Sequence, residues 1–319
     1  NIINKTLIYE RATYLNNGSD WYERGALCGD PSSSGNSTVI TNEYIANILE
    51  SYGFDDVRGN YGNGNYDNWL EEELEEGCLY MNYRGYYGVS GFGSGEINNA
   101  NNSYKTPFAV FITCGTGDFS GTSLSEELIR AGSVANPKGA VAAIGTATTG
   151  THTLFNNIVN MGIYDGIFPK ALGTAGGAIA SGRLSLYWTY PSNPNNYVTI
   201  FSHWNNLMGD PALQLWTDTP KEIDVEFSSS IDWGTNFIDV TVIDENGVAV
   251  DEAYVTVLKQ DPWDATEDEI FATVKTNNLG IATIDLEYEN AGEVFLTVTK
   301  PNHKPFEGSF DILFETIMI

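Results

Sequence analysis

The chain is poor in positive charge. Its 319 residues carry 15 Lys and Arg against 42 Asp and Glu, a formal net charge of -27. Such a chain repels a phosphate backbone, so nucleic acid is not an expected partner. An acidic exterior suits an extracellular or saline setting and otherwise simply confers solubility. Cysteine is scarce too. Cys28, Cys78 and Cys114 are the full set, an odd number without metal-ligand spacing, which excludes a disulfide framework or a zinc site as the first reading. No apolar run reaches the roughly 18 residues of a membrane-spanning helix. No signal-peptide pattern is visible either, and the chain starts at Asn1, as a processed or trimmed chain would. Core-forming residues are plentiful: 42% hydrophobic and 13% aromatic, enough for two or three packed domains.

Two patterns divide the sequence. Up to about residue 219, strand and helix signals alternate. "GALCG" (Gly25–Gly29), "CLYMNY" (Cys78–Tyr83), "PFAVFIT" (Pro107–Thr113) and "GAVAAIG" (Gly139–Gly145) are apolar runs of the kind found in strands covered on both faces. Between them, Thr41–Phe54 predicts a helix with Ile45, Ile48, Leu49 and Tyr52 on one face and Thr41 or Asn42 as its cap. Tyr66–Gly77 predicts a short acidic helix, and Ser123 with Glu126 has the form of a capping box. Gly166–Trp188 and Thr199–Asp210 read as further helices, with "ALQLW" (Ala212–Trp216) as a closing strand. This is an α/β domain, residues 1–219, with a mostly parallel sheet. From residue 220 to 319 the period changes to two. Six or seven short runs such as "FIDVTVID" and "EVFLTVTK", separated by turns like "ENG" (Glu245–Gly247), predict an all-β immunoglobulin-like sandwich. The acidic stretch Asp261–Glu269 does not have the spacing of an EF-hand loop and reads as a solvated loop.

In an open parallel sheet, ligands bind beyond the carboxyl ends of the strands. "NYRGYYG" (Asn82–Gly88) and "ITCGTGDF" (Ile112–Phe119) are two such ends. Cys28 and Cys78 lie within apolar runs and read as small buried hydrophobes, whereas Cys114 stands where a strand gives way to glycines. Backbone N–H groups can crowd a substrate carbonyl there, and a thiol so placed can act as a nucleophile if something takes its proton. The alternative is an inert strand-end cysteine.

The order of these motifs resembles the gingipain-type cysteine peptidases, caspase-like enzymes of clan CD. "DWYERGAL" (Asp20–Leu27), "NYRGYYG", "PFAVFITCGTGDF" (Pro107–Phe119), "GAVAAIGTATTGTHT" (Gly139–Thr153) and "WNNLMGDPALQLW" (Trp204–Trp216) follow one another as in that family, and a small sandwich comes after them. The resemblance implies a caspase-like sheet flanked by helices, with Cys114 as nucleophile. It implies the amides of Cys114 and Gly85 as oxyanion donors, and Asp30 near the position of the acid that orients the family's histidine. Thr148 and Thr151 fall in the loop that walls the substrate pocket. Asp118 and Asp165 are candidates for a pocket carboxylate. Calcium often stabilises the family, and Asn- and Asp-rich loops such as Gly59–Asn68 would permit it, although no cofactor is required for the chemistry.

The chain departs from that pattern at one position. Tyr86 stands where the family has its catalytic histidine, and a phenol with a pKa near 10 is a poor base at neutral pH. Three outcomes stay open. Catalysis is lost; or His152, in the loop after the next strand, supplies the base; or Tyr86 acts with Arg84. Of the other histidines, His203 reads as a helix-packing residue and His303 as a turn residue without a role. The resulting expectation is a secreted or cell-surface cysteine endopeptidase acting on protein or peptide. The alternatives are a catalytically silent surface or adhesion module and a sortase-like transpeptidase. The family's catalytic unit has two α/β subdomains, so an upstream subdomain or another chain is an expected partner at the sheet edge.

Overall fold

A computed structural model describes residues 1–264 and 266–314; Ala265 of the acidic loop lies outside the described residues. The chain divides into two compact units, Asn1–Thr219 and Pro220–Ile319.

The first unit is built on a six-stranded sheet. Its strands are β1 (Arg24–Gly29), β2 (Asp56–Tyr61), β3 (Tyr80–Arg84), β4 (Phe108–Phe111), β5 (Ala142–Thr146) and β6 (Asn205–Met208). Their order is β2-β1-β3-β4-β5-β6. The first five are parallel and β6 runs antiparallel to β5. The helices are α1 (Ile2–Glu10), α2 (Ser37–Ser51), α3 (Tyr66–Glu76), α4 (Ser94–Asn99), α5 (Leu124–Arg130), α6 (Thr153–Ile167), α7 (Ala175–Thr189) and α8 (Tyr197–Trp204). Alternation along the strands feeds two cores. Leu27, Tyr80, Phe108, Val110 and Ile144 pack with α2, α6, α7 and α8 on one face. Ala26, Cys28, Met81, Phe111 and Ala143 pack with α3, α4 and α5 on the other. Both faces are therefore dry, which is why these runs carry no polar alternation.

Several expected boundaries move. Helix α2 starts at Ser37 rather than Thr41. Thr41 and Asn42 are buried inside it instead of capping it: the Thr41 hydroxyl bonds Ser37 O, and Asn42 Nδ2 donates to Cys28 O (3.0 Å) and Thr38 O (2.9 Å). The edge strand β2 carries no strong apolar signal and was not expected. The predicted helix over Gly166–Trp188 is split, because α6 ends at Ile167 and α7 begins at Ala175. Thr199–Asp210 changes form midway, from α8 into β6. "ALQLW" is not a strand: it carries an isolated β-bridge, Thr174 to Gln214, and bonds to Tyr9 and Tyr80 through Trp216.

In the second unit β7 (Ile223–Phe227), β8 (Ser230–Asp232), β9 (Phe237–Asp244), β10 (Tyr254–Gln260), β11 (Asp268–Lys275), β12 (Ile281–Asp285), β13 (Gly292–Lys300) and β14 (His303–Leu313) form two sheets. Their orders are β11-β10-β13-β14-β8 and β12-β9-β7. Val240, Val242 and Ile284 of one sheet share a core with Val255, Leu296 and Phe310 of the other. The period-two runs of the sequence are the alternately buried and exposed positions of these strands.

Candidate active site

The exits of β1, β3, β4 and β5 deliver the chemistry-bearing residues. Beyond β4, Thr113 Oγ1 donates to Gly88 O (2.7 Å) and Gly88 N donates to Cys114 O (3.0 Å), which ties Cys114 to the loop after β3. Gly115 takes a left-handed φ of 75°, a conformation that favours glycine. The loop then lies against β5: Gly115 N donates to Thr148 O (3.1 Å) and Gly117 N to Thr146 O (3.1 Å). A Cβ on Gly117 would meet the Gly145 carbonyl carbon at 2.4 Å. The glycines of "CGTG" thus bring the Cys114 loop and β5 into direct backbone contact.

Cys114 is 4% exposed, and its Sγ lies 2.8 Å from Thr151 Oγ1. Thr148, the other expected pocket residue, sits in the same loop and accepts from Gly150 N through its hydroxyl (3.2 Å). The sulfur's hydrogen-bond neighbour is therefore a hydroxyl and not an imidazole. The side chain of His152, one residue on, is exposed and caps α6: its Nδ1 accepts from Leu154 N at 3.1 Å. A neutral imidazole whose Nδ1 accepts carries its proton on Nε2. In this state the outer nitrogen is a donor, and a role as proton acceptor requires the cap to open.

Tyr86 and Tyr87 are 60% and 65% exposed. The Tyr87 ring stands beside Gly115, with Cε2 4.0 Å from where a Cβ there would be. Gly85 lies at the exit of β3, and its carbonyl accepts from Ser34 Oγ (2.9 Å). Asp30, at the end of β1, accepts from Ser32 N (2.9 Å), Ser32 Oγ, Ser90 Oγ (2.6 Å) and Tyr83 OH (3.3 Å). Burial pushes this carboxyl up, but the bonds from Ser32, Ser90 and Tyr83 outweigh it and hold it below the usual carboxylate range. Asp30 is thus engaged with hydroxyls rather than with a histidine. Asp118 is half-buried and turned onto its own loop, accepting from Ser120 N (2.8 Å) and Ser120 Oγ (3.0 Å). Asp165 is paired with Lys170 on the far end of α6. His203 is exposed, with Nδ1 2.7 Å from Thr199 O, and does not pack a helix as expected. His303 bonds Pro301 O in the second unit. Among the described residues, no group of three or more His, Cys, Asp and Glu side chains could hold a metal ion.

Sequence reasoning underrated Arg84. Its side chain is fully buried and does not reach out to Tyr86. Nε and Nη2 both donate to Asn157 Oδ1 (2.9 and 2.7 Å), Nη1 donates to Ile112 O, and Nη2 approaches Thr153 O at 3.5 Å. The signal was available: a charged residue closes an otherwise apolar, doubly covered strand.

Comparison with known proteins shows the family of the chain. The model of peptidase family C25 matches residues 1–216. The chain belongs to peptidase family C25. C25 relatives among curated proteins include gingipain R2 of Porphyromonas gingivalis, 27% identical over 77% of this chain and 34% of the relative. Gingipain R1 of the same species is 26% identical over 94% of this chain and 30% of the relative. The chain thus spans about a third of the length of these curated relatives. The crystal structure of the Arg-specific cysteine proteinase gingipain R has the same fold, with a TM-score of 0.79 over 98% of this chain and 72% of that one at 23% identity. A complex of pro- and mature domains from Porphyromonas gingivalis gives a TM-score of 0.80 over 98% and 73% at 22% identity. This C25 member therefore has the gingipain-type fold, with a helix-flanked, largely parallel sheet followed by an antiparallel region.

Proposed function

We propose that the chain is a cysteine endopeptidase acting on proteins outside the cell, with Cys114 as its nucleophile. The observation that carries this reading is the location of Cys114. It stands at the carboxyl end of β4, in a glycine loop braced on β5, within the segment that matches a peptidase family. The sulfur attacks the scissile carbonyl carbon, and the amides of Cys114 and Gly85 receive the developing oxyanion. Collapse of that intermediate forms a thioester and expels the amine, which takes up the proton the thiol gave. Water then cleaves the thioester and restores the thiol. Thr148 and Thr151 border the site, with Asp118 on its outer loop. His152 is the acceptor for the thiol proton once its cap on α6 opens. The second unit is read as an immunoglobulin-like module. The free edge of β2 is where an upstream subdomain or another chain would add. Structural calcium fits the acidic loops only through scattered donors, and no step here is routed through it.

A second reading has a specific observation in its favour. With His152 Nδ1 spent on Leu154 N, and with Tyr86 read as standing at the family's histidine position, the same cleft would bind peptide without cutting it. Hydrolysis of a mixed peptide library by the wild type and by Cys114→Ala separates the two. Cleavage lost in the variant supports the peptidase; binding without cleavage in either protein supports the silent module. A product joined to an added amine, rather than to water, would instead indicate a transpeptidase.

A further inference from the structure

Arg84 poses a problem of charge. A guanidinium stays protonated under all ordinary conditions, and burying one without a counter-ion is expensive. In this chain its partners are neutral oxygens: Asn157 Oδ1, Ile112 O and Thr153 O. Burial pushes its pKa down to about 9, and the ionisable groups that push it back are Tyr83 and Cys114. Its partners also lie on the segments that carry the thiol and its hydroxyl neighbour. Ile112 lies two residues before Cys114 on the nucleophile strand. Thr153 lies two residues after Thr151, whose hydroxyl touches the sulfur. Asn157 lies one turn further into α6. The guanidinium therefore ties β3 to the exit of β4, two residues before Cys114, and to the start of α6.

We infer that Arg84 is the positioning residue for Cys114, fixing the Cys114–Thr151 pair and supplying the buried positive charge that a thiolate there would face. This rests on the reading of Cys114 as the reactive group. A thiolate at Cys114 is an anion that forms without importing a ligand, and its formation would offset the unneutralised buried guanidinium. The other titratable groups around the site are Tyr83 and Asp30 from the exits of β3 and β1, Tyr86 and Tyr87 from the loop after β3, His152 at the start of α6, and Asp118. Arg84 thus takes over a charge that a catalytic imidazolium supplies in other cysteine enzymes.

The test is the rate of iodoacetamide alkylation at Cys114, followed by peptide mass spectrometry from mildly acidic to alkaline pH. Cys28 and Cys78, both fully buried, serve as internal controls. Arg84→Met should shift the profile to higher pH and slow alkylation near neutrality by about tenfold, the effect of one pKa unit, while Arg84→Lys should recover most of the rate. Asn157→Asp gives the arginine a carboxylate partner. It should leave the fold intact or raise its melting temperature and still slow the thiol, which a purely structural arginine would not do. Profiles of Arg84→Met and Asn157→Asp that superimpose on the wild type would overturn the inference. If Arg84→Met fails to fold, Asn157→Asp alone decides. Alkylation does not require peptide hydrolysis, so a chain that cleaves nothing yet shows these shifts would retain the Arg84 assignment while losing the peptidase reading.

Discussion

Two buried arginines, one at each end of the same sheet, are treated in opposite ways. Arg24 opens β1 at the end away from the loops that carry Cys114, and it is surrounded by acids. Nε meets Asp56 Oδ2 at 2.7 Å, and Nη2 lies 3.2 Å from Glu76 Oε1 and 3.8 Å from Asp20 Oδ2. Arg58 joins the same cluster through Asp56, Glu73 and Glu76. Arg84 closes β3 at the other end and meets no acid among the described residues. A buried arginine whose charge is answered by part-exposed carboxylates is a fastening. A buried charge left unanswered is stored electrostatic potential, and it is found where the chemistry is expected. In a chain with so many more acids than bases, leaving this arginine without one is a feature of the site.

The comparison can be broken from either end. The largest effect belongs to the thiol itself: Cys114→Ala should abolish peptide cleavage in a library assay and leave the melting temperature close to that of the wild type, because the change removes one sulfur atom. At the opposite end, Arg24→Met takes one partner from the part-exposed Asp56 and Glu76, which keep Arg58, and should cost about 1 kcal/mol in urea unfolding. It should not alter the alkylation profile of Cys114. The carboxyl of Asp56 is held below the usual range by Arg58 first and Arg24 second, against the cost of burial. Its contribution is present above the unfolded value and lost as pH falls through the folded one, so Arg24→Met should also flatten the acid limb of the stability curve.

Smaller changes sharpen the picture. His152→Ala should lose about 1 kcal/mol of stability with the α6 cap, whereas His152→Asn, a good capping residue, should keep most of it. Cleavage lost in both variants assigns His152 as base; cleavage kept in the asparagine variant restricts it to the cap. The last effect concerns a third buried cation. Lys5 meets carbonyls only, Lys138 O at 2.8 Å, Leu128 O at 3.3 Å and Ala131 O at 3.5 Å, at the C-terminal end of α5, where a cation is favoured. Burial pushes its pKa down to about 7 from 10.5, so the folded chain binds fewer protons than the unfolded one between those values. Stability from this site then rises with pH across that window. The stability difference between wild type and Lys5→Met should grow as pH climbs through it.

Much of the architecture was legible because both faces of the sheet are buried. Runs such as Phe108–Phe111 can be nothing but interior, and the period-two strands of the second unit announce one wet face. What failed to show was local. Edge strand β2 is half exposed and carries Arg58 and Asn60. Residues 205–208 turn from helix to strand because they pair with β5, a long-range contact that no local pattern encodes. In the site, Cys114 was legible from a strand ending in glycines. Its contact with Thr151 and the engagement of His152 as a cap were not, since both depend on how the loop after β5 folds back. The inward turn of Arg84 could have been suspected, because a side chain on a doubly covered strand has nowhere else to go.

The central claim is that Cys114 is a competent nucleophile in this cleft. Incubating the folded chain with a peptidyl acyloxymethyl ketone and mapping the adduct by mass spectrometry tests it most directly. The account predicts a single adduct on Cys114 and none on Cys28 or Cys78, with no adduct at all in Cys114→Ala. An unmodified Cys114 in the folded chain, while denatured chain reacts at all three cysteines with iodoacetamide, would contradict it.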